Sequence, residues 1–136
     1  MLNDEYREII TDALSQKLGE IDERLRQVVS KLPESTKELH LYVFVDQDGE
    51  GFITVRASLD GPDLHPLNQE IRDVAELFDQ YVPHPEGEIY QGDFIVDTVI
   101  GFLEGRLNRS SLKPVSIPVS LFNPEGYGTV ARVKLN

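Results

Sequence analysis

The stretch ELHLYVFVDQDGEGFITVRASL, Glu38 to Leu59, decides the fold. Over Glu38–Val45, Leu39, Leu41, Val43 and Val45 alternate with His40, Tyr42 and Phe44. Over Phe52–Leu59, Ile53, Val55, Ala57 and Leu59 alternate with Phe52, Thr54, Arg56 and Ser58. Two period-2 runs joined by the turn-forming DQDGEG predict a β-hairpin. The turn also opens like a calcium loop, because Asp46, Asp48, Glu50 and Gly51 fall at positions 1, 3, 5 and 6 of the EF-hand pattern. That pattern needs a bidentate acid at position 12 and a helix on each side. Ala57 stands at position 12 and both flanks alternate like strands. The stretch therefore reads as a hairpin turn without specific calcium binding, with Gly49 and Gly51 supplying positive φ.

Working outward, Asn3 to Leu32 reads as a long helix with Asp4, Glu5 and Glu8 at its positive end and Pro33 as its stop. Leu14, Leu18, Ile21, Leu25, Val28 and Leu32 form a heptad stripe. At about 1.5 Å per residue this helix is roughly 45 Å long, against a radius of gyration near ~14 Å for a domain of this size. It is expected to mediate a homodimer through residues 3–32 or to lie across the sheet in two pieces, bent near Gly19. A second helix is predicted over about Leu67–Gln80, from the spacing of Ile71, Val74, Ala75 and Phe78. A third, over Asp93–Leu107, is apolar all round and so the most buried, with Gly101 allowing a close approach. Val115–Phe122 and Thr129–Leu135 form a second hairpin across the NPEGYG turn, and Pro118 makes its first strand an edge or a bulge. The order α-β-β-α-α-β-β predicts a single α+β domain over 1–136, with a four-stranded, mostly antiparallel sheet packed with three helices.

Charge narrows the function classes. The net charge is −11, and Asp46–Glu104 carries 14 acidic residues against Arg56 and Arg72. Such a surface repels phosphate backbones, which excludes nucleic acid as the expected partner, and attracts basic proteins. The chain contains no cysteine, so disulfides, thiolate metal sites and cysteine nucleophiles are excluded. The N-terminus lacks a basic n-region and an apolar h-region, and no apolar run approaches the ~20 residues of a membrane span. A cytoplasmic location is expected.

Motifs that carry chemistry are weak. Asp60, Asp63 and His65 share the DGPDLHP loop, and His84 sits in VPHPEGE. These four are the pocket candidates if the 60–66 and 82–88 loops meet beside the sheet. Their spacing requires no metal, and no metal or cofactor is expected. NPEGYGTV precedes a strand rather than a helix and carries no Gly-Lys-Ser/Thr, so it is no phosphate cradle. No G-x-S-x-G elbow occurs. Asp93 and Asp97, spaced i, i+4 on one helix face, read as solvated surface.

In size, acidity and lack of cysteine the chain is similar to small bacterial immunity proteins, which block basic toxins. That similarity carries no motif and assigns no residue. The leading expectation is a non-catalytic, immunity-type or regulatory binder of a basic protein. Tyr42, Phe44 and Phe52, beside His40 on the second face of the hairpin, would anchor it, and Asp46, Asp48 and Glu50 would meet its charge. The alternative is a small ligand-binding domain or enzyme with a pocket between sheet and helices.

Overall fold

The computed structural model describes residues 2–45, 51–62, 68–83, 92–107, 109–113, 115–129 and 132–136. In chain order these form α1 (Leu2–Ser30), β1 (Glu38–Val45), β2 (Phe52–Asp60), β3 (Glu76–Tyr81), α2 (Gly92–Arg106), a 3-10 helix (Arg109–Leu112), β4 (Val119–Phe122) and β5 (Val133–Lys134). The chain folds as a single α+β domain with one mixed sheet in the order β3-β2-β1-β4-β5. Among the described residues only the β1–β4 pairing is parallel.

Period-2 patterning places one face of the hairpin inside. Leu39, Leu41, Val43, Ile53 and Val55 are fully buried, joined by Val119 and Leu121 of β4. The helices close over this face. Tyr6, Ile10, Leu14, Ile21, Leu25 and Val28 of α1 are fully buried against α2, β3 and the 3-10 helix. The heptad stripe on which the homodimer expectation rested is thus covered by its own chain, with Leu18 and Leu32 half-buried. The helix is assigned without a break from Leu2 to Ser30.

Three expectations need correction. Among the described residues the helix expected at 67–80 is helical only at 68–70, and Glu76–Tyr81 is an edge strand, which makes the sheet five-stranded. The β2–β3 register shifts between Val55 and Arg56, so Leu77 and Phe78 both point inward. Two adjacent buried residues hide the period of two, and with Ile71, Val74 and Ala75 they imitate a helical stripe. The second correction concerns Pro118, which precedes β4 rather than interrupting it. Its carbonyl accepts the Leu39 N–H at 3.0 Å, and β4 lies inside the sheet between β1 and β5. Third, Gly101 admits nothing close: a Cβ there would meet no atom within 4 Å. Asp93 is exposed and Asp97 half-buried on the surface of α2, and both also fasten a distant loop. The Gly128 N–H donates to Asp93 Oδ1 at 2.7 Å, and Thr129 donates its N–H and hydroxyl to Asp97, each at 2.8 Å.

Asparagines finish the ladder where strands run out. Asn68 mimics a neighbouring strand at Leu59, accepting its N–H at 2.8 Å and donating to its carbonyl at 3.0 Å. Asn136 does the same for Val119 N–H and the Ile117 carbonyl.

Candidate functional site

With α1 and α2 on one side of the sheet, the alternating residues of β1, β2 and β3 face outward. No described helix covers this open face; residues of β2 there range from half-buried to exposed. Its rungs follow from the register. Glu38 stands opposite Asp60. Lys134, Ser120, His40 and Ser58 form the next rung, then Phe122, Tyr42, Arg56 and Glu76, then Phe44, Thr54 and Asp79, and last Phe52 and Tyr81.

Aromatic rings dominate two parts of this face. Phe122 packs edge-on against His40 at 5.4 Å and Tyr42 at 5.2 Å, and Tyr42 continues to Phe44 at 5.8 Å. The Arg132 guanidinium lies 4.2 Å from the Phe122 ring centre, a cation–π contact. Phe52 and Tyr81 form a separate pair at 5.1 Å across the β2–β3 rung. They are the exposed large hydrophobics of the described chain, at 50% and 51%. Elsewhere on the face the charges answer one another: Arg56 reaches Glu76 at 3.4 Å, and the Thr54 hydroxyl donates to Asp79 at 3.1 Å.

The far end of the face holds the group with metal-ligand chemistry. Ligand atoms of Glu38, His40 and Asp60 lie within 4.8 Å of one another. His40 is nearly buried, and both ring nitrogens are engaged, Nε2 with Glu38 at 2.8 Å and Nδ1 with the Tyr42 hydroxyl at 3.2 Å. The hydrogen bond with His40 holds the Glu38 carboxyl below the usual glutamate range. Partial desolvation opposes this, and charge from His40 and Arg132 reinforces it. A cation could enter this trio only by displacing the Glu38–His40 bond, so the arrangement stands first as a hydrogen-bonded cluster.

The chain belongs to DUF6389, a family of unknown function whose model matches residues 1–136. No curated protein and no solved structure matches it.

Of the residues singled out in this DUF6389 chain, Tyr42, Phe44 and Phe52 do share the open face, and Asp60 closes its far end. Asp46, Asp48 and Glu50 lie outside the described residues, as do Asp63, His65 and His84. Sequence reading passed over Tyr81, Phe122 and Arg132 as members of the face. Tyr81 was hidden by the helical reading of its segment. Phe122 sat on the correct side of an alternating strand, but nothing local puts that strand beside β1. Among the described residues no helix is long and apolar enough to cross a membrane.

Proposed function

We propose that this chain is a non-catalytic binding protein whose contact surface is the open sheet face and whose partner is a basic protein. The observation that carries the reading is the Phe52–Tyr81 pair, two large rings half exposed and in mutual contact on a face that no described helix covers. Contact surfaces are rich in such aromatic anchors, and truncating one that is buried on binding costs about 2 kcal/mol or more. The charge supports the choice of partner. Phe52 follows Asp46, Asp48 and Glu50 by a few residues, within the acid-rich half of a chain of net charge −11. Electrostatic attraction of this kind sets the encounter rate, while the rings supply the lasting contact. An immunity-type role is one instance of this function.

The test compares the wild type with the double variant Phe52→Ala, Tyr81→Ala, which has the same net charge. Each is immobilised and challenged with purified basic and acidic proteins while salt is raised. The wild type should retain a basic protein beyond about 0.15 M salt, where exposed charges are screened over ~8 Å. The double variant should release it at lower salt. Identical elution from the two columns would refute the aromatic anchor, and retention of acidic proteins would refute the choice of partner.

A further inference from the structure

The Phe52–Tyr81 pair does not stand alone, because the next rung of the same face puts a carboxylate beside it. Phe52 is opposite Tyr81 and Thr54 opposite Asp79, while Ile53 between them is buried on the other side. The two rungs are about 6.8 Å apart, at ~3.4 Å per residue. The rings are tilted by 46° and so do not cover one another face to face. Tyr81 rests against Gly51, its Cε1 3.3 Å from where a Cβ there would stand, which limits its movement. Asp79 is exposed and accepts the Thr54 hydroxyl on Oδ1. Among the described residues it pairs with no cation, because the cations around it are taken. Arg56 reaches Glu76 at 3.4 Å, and Lys17 and Arg24 reach Glu20 at 3.8 and 2.9 Å.

This corner selects its occupant by chemistry. A purely apolar group laid on the rings would strip water from Asp79 and leave the carboxylate unpaired, which is costly. An anion would meet repulsion from Asp79 and from the negative faces of the rings. A cation is drawn to both. Between the two basic side chains, the ammonium of lysine is a compact and strongly hydrated point charge. The guanidinium of arginine is flat, sheds water more easily, stacks on aromatic faces and presents a fork of donors to a carboxylate. It is therefore the group that can lie on the rings and still reach the neighbouring rung. We infer that the corner of Phe52, Tyr81 and Asp79 receives an arginine side chain of the basic partner, its guanidinium on the rings and its N–H groups on the Asp79 carboxylate. The inference rests on the proposed sheet-face function and names the group that this face reads.

The probes are three blocked tripeptides, Gly-X-Gly with X arginine, lysine or citrulline, whose urea group keeps the flat shape of arginine without its charge. Each is titrated to millimolar levels into the ¹⁵N-labelled full chain and followed by NMR. Salt of about 0.15 M screens the general negative field beyond ~8 Å, so that local contacts decide the result. The arginine peptide should give saturable shifts centred on the amides of Phe52, Asp79 and Tyr81, and the other two should bind more weakly. Tyr81→Leu keeps an apolar side chain but removes one ring, and should weaken arginine binding about two- to fivefold. Asp79→Asn retains an acceptor for the Thr54 hydroxyl, so the sheet stays intact, and should weaken it by a similar factor. Lysine or citrulline binding as tightly as arginine would overturn the assignment. So would shifts centred elsewhere, or arginine affinity indifferent to either substitution. Those results would leave the face free to bind a basic protein by other groups, a question that the column experiment with Phe52→Ala, Tyr81→Ala answers separately.

Discussion

Gly51 immediately precedes β2 and holds the end of the sheet on which Phe52 and Tyr81 meet. Its φ is +109°, and its carbonyl accepts the Val82 N–H at 2.8 Å. A Cβ added here would stand 2.6 Å from the Val82 carbonyl oxygen and 3.2 Å from its carbon. Both are backbone atoms of the neighbouring chain segment, so neither can swing aside as a side-chain tip would. Gly51→Ala therefore carries two costs. Backbone strain at positive φ is about 1–2 kcal/mol, and the forced contact adds about 1–3 kcal/mol. The lower freedom of alanine in the unfolded chain returns about 0.4–1 kcal/mol. The net is a loss of about 3 kcal/mol, or near ~12 °C in Tm for a chain of this length. Gly126 provides the control. Its φ is +89° and a Cβ there would meet nothing within 4 Å, so Gly126→Ala should cost only the strain, about 1 kcal/mol net. Urea unfolding of the two variants, at equal m-values, measures the difference. A Gly51→Ala loss no larger than that of Gly126→Ala would mean the Val82 contact is not fixed, and the reasoning would fail.

Gly19 and Gly101 lie inside α1 and α2, and a Cβ at either would meet no atom within 4 Å. Gly19→Ala and Gly101→Ala should each stabilise the fold by about 0.8–1 kcal/mol, read as a higher urea midpoint; a loss at either position would reveal a close approach that the structure does not contain. The Glu38 carboxyl titrates below its ordinary value of 4.5 because of the His40 hydrogen bond. A depressed carboxylate contributes stability above its unfolded value and loses it as pH falls through the folded one. Glu38→Gln should therefore be less stable than the wild type near neutrality, and the gap should close as pH drops below 4.5. A gap that stays constant through acid would place the bond's contribution elsewhere.

What could be read from the sequence depended on how local its cause was. The β1–β2 hairpin was legible because strict alternation leaves one register that buries Leu39, Leu41, Val43, Ile53 and Val55 together. The buried helix Gly92–Arg106 was legible from its apolar density. β3 was not, because its bulge cancels the alternation that marks a strand. The parallel β1–β4 pairing was not, because the paired strands lie far apart in sequence and parallel pairing leaves no turn between them. The same rule governed the candidate site. Tyr42, Phe44 and Phe52 fell on one face by counting residues, whereas Tyr81, Phe122 and Arg132 joined them only through strand order. Asp93 and Asp97 were legible as surface residues but not as ties to Gly128 and Thr129, because those partners sit 35 and 32 residues away.

The edges of the sheet bear on how a partner would meet this chain. A protein can recognise another by adding a strand to an open edge or by covering a face. At the β3 edge, Arg24 donates to the Glu76 carbonyl at 2.6 Å, and the Tyr6 hydroxyl donates to the Val82 carbonyl at 3.2 Å. Helix α1 lies along this strand, so its free carbonyls meet side chains instead of a guest backbone. At the opposite edge β5 has two residues, Val133 and Lys134, too few to template a ladder, and Lys134 adds a charge there. Both edges oppose strand addition. The open face has the reverse character, with a row of rings from Phe122 to Phe44 and the half-exposed Phe52–Tyr81 pair beside it. A partner that binds the sheet is thus directed to its side chains and not its backbone, and its specificity would follow from aromatic and charged groups, of which Phe52→Ala, Tyr81→Ala removes the exposed aromatic pair and leaves the charges in place.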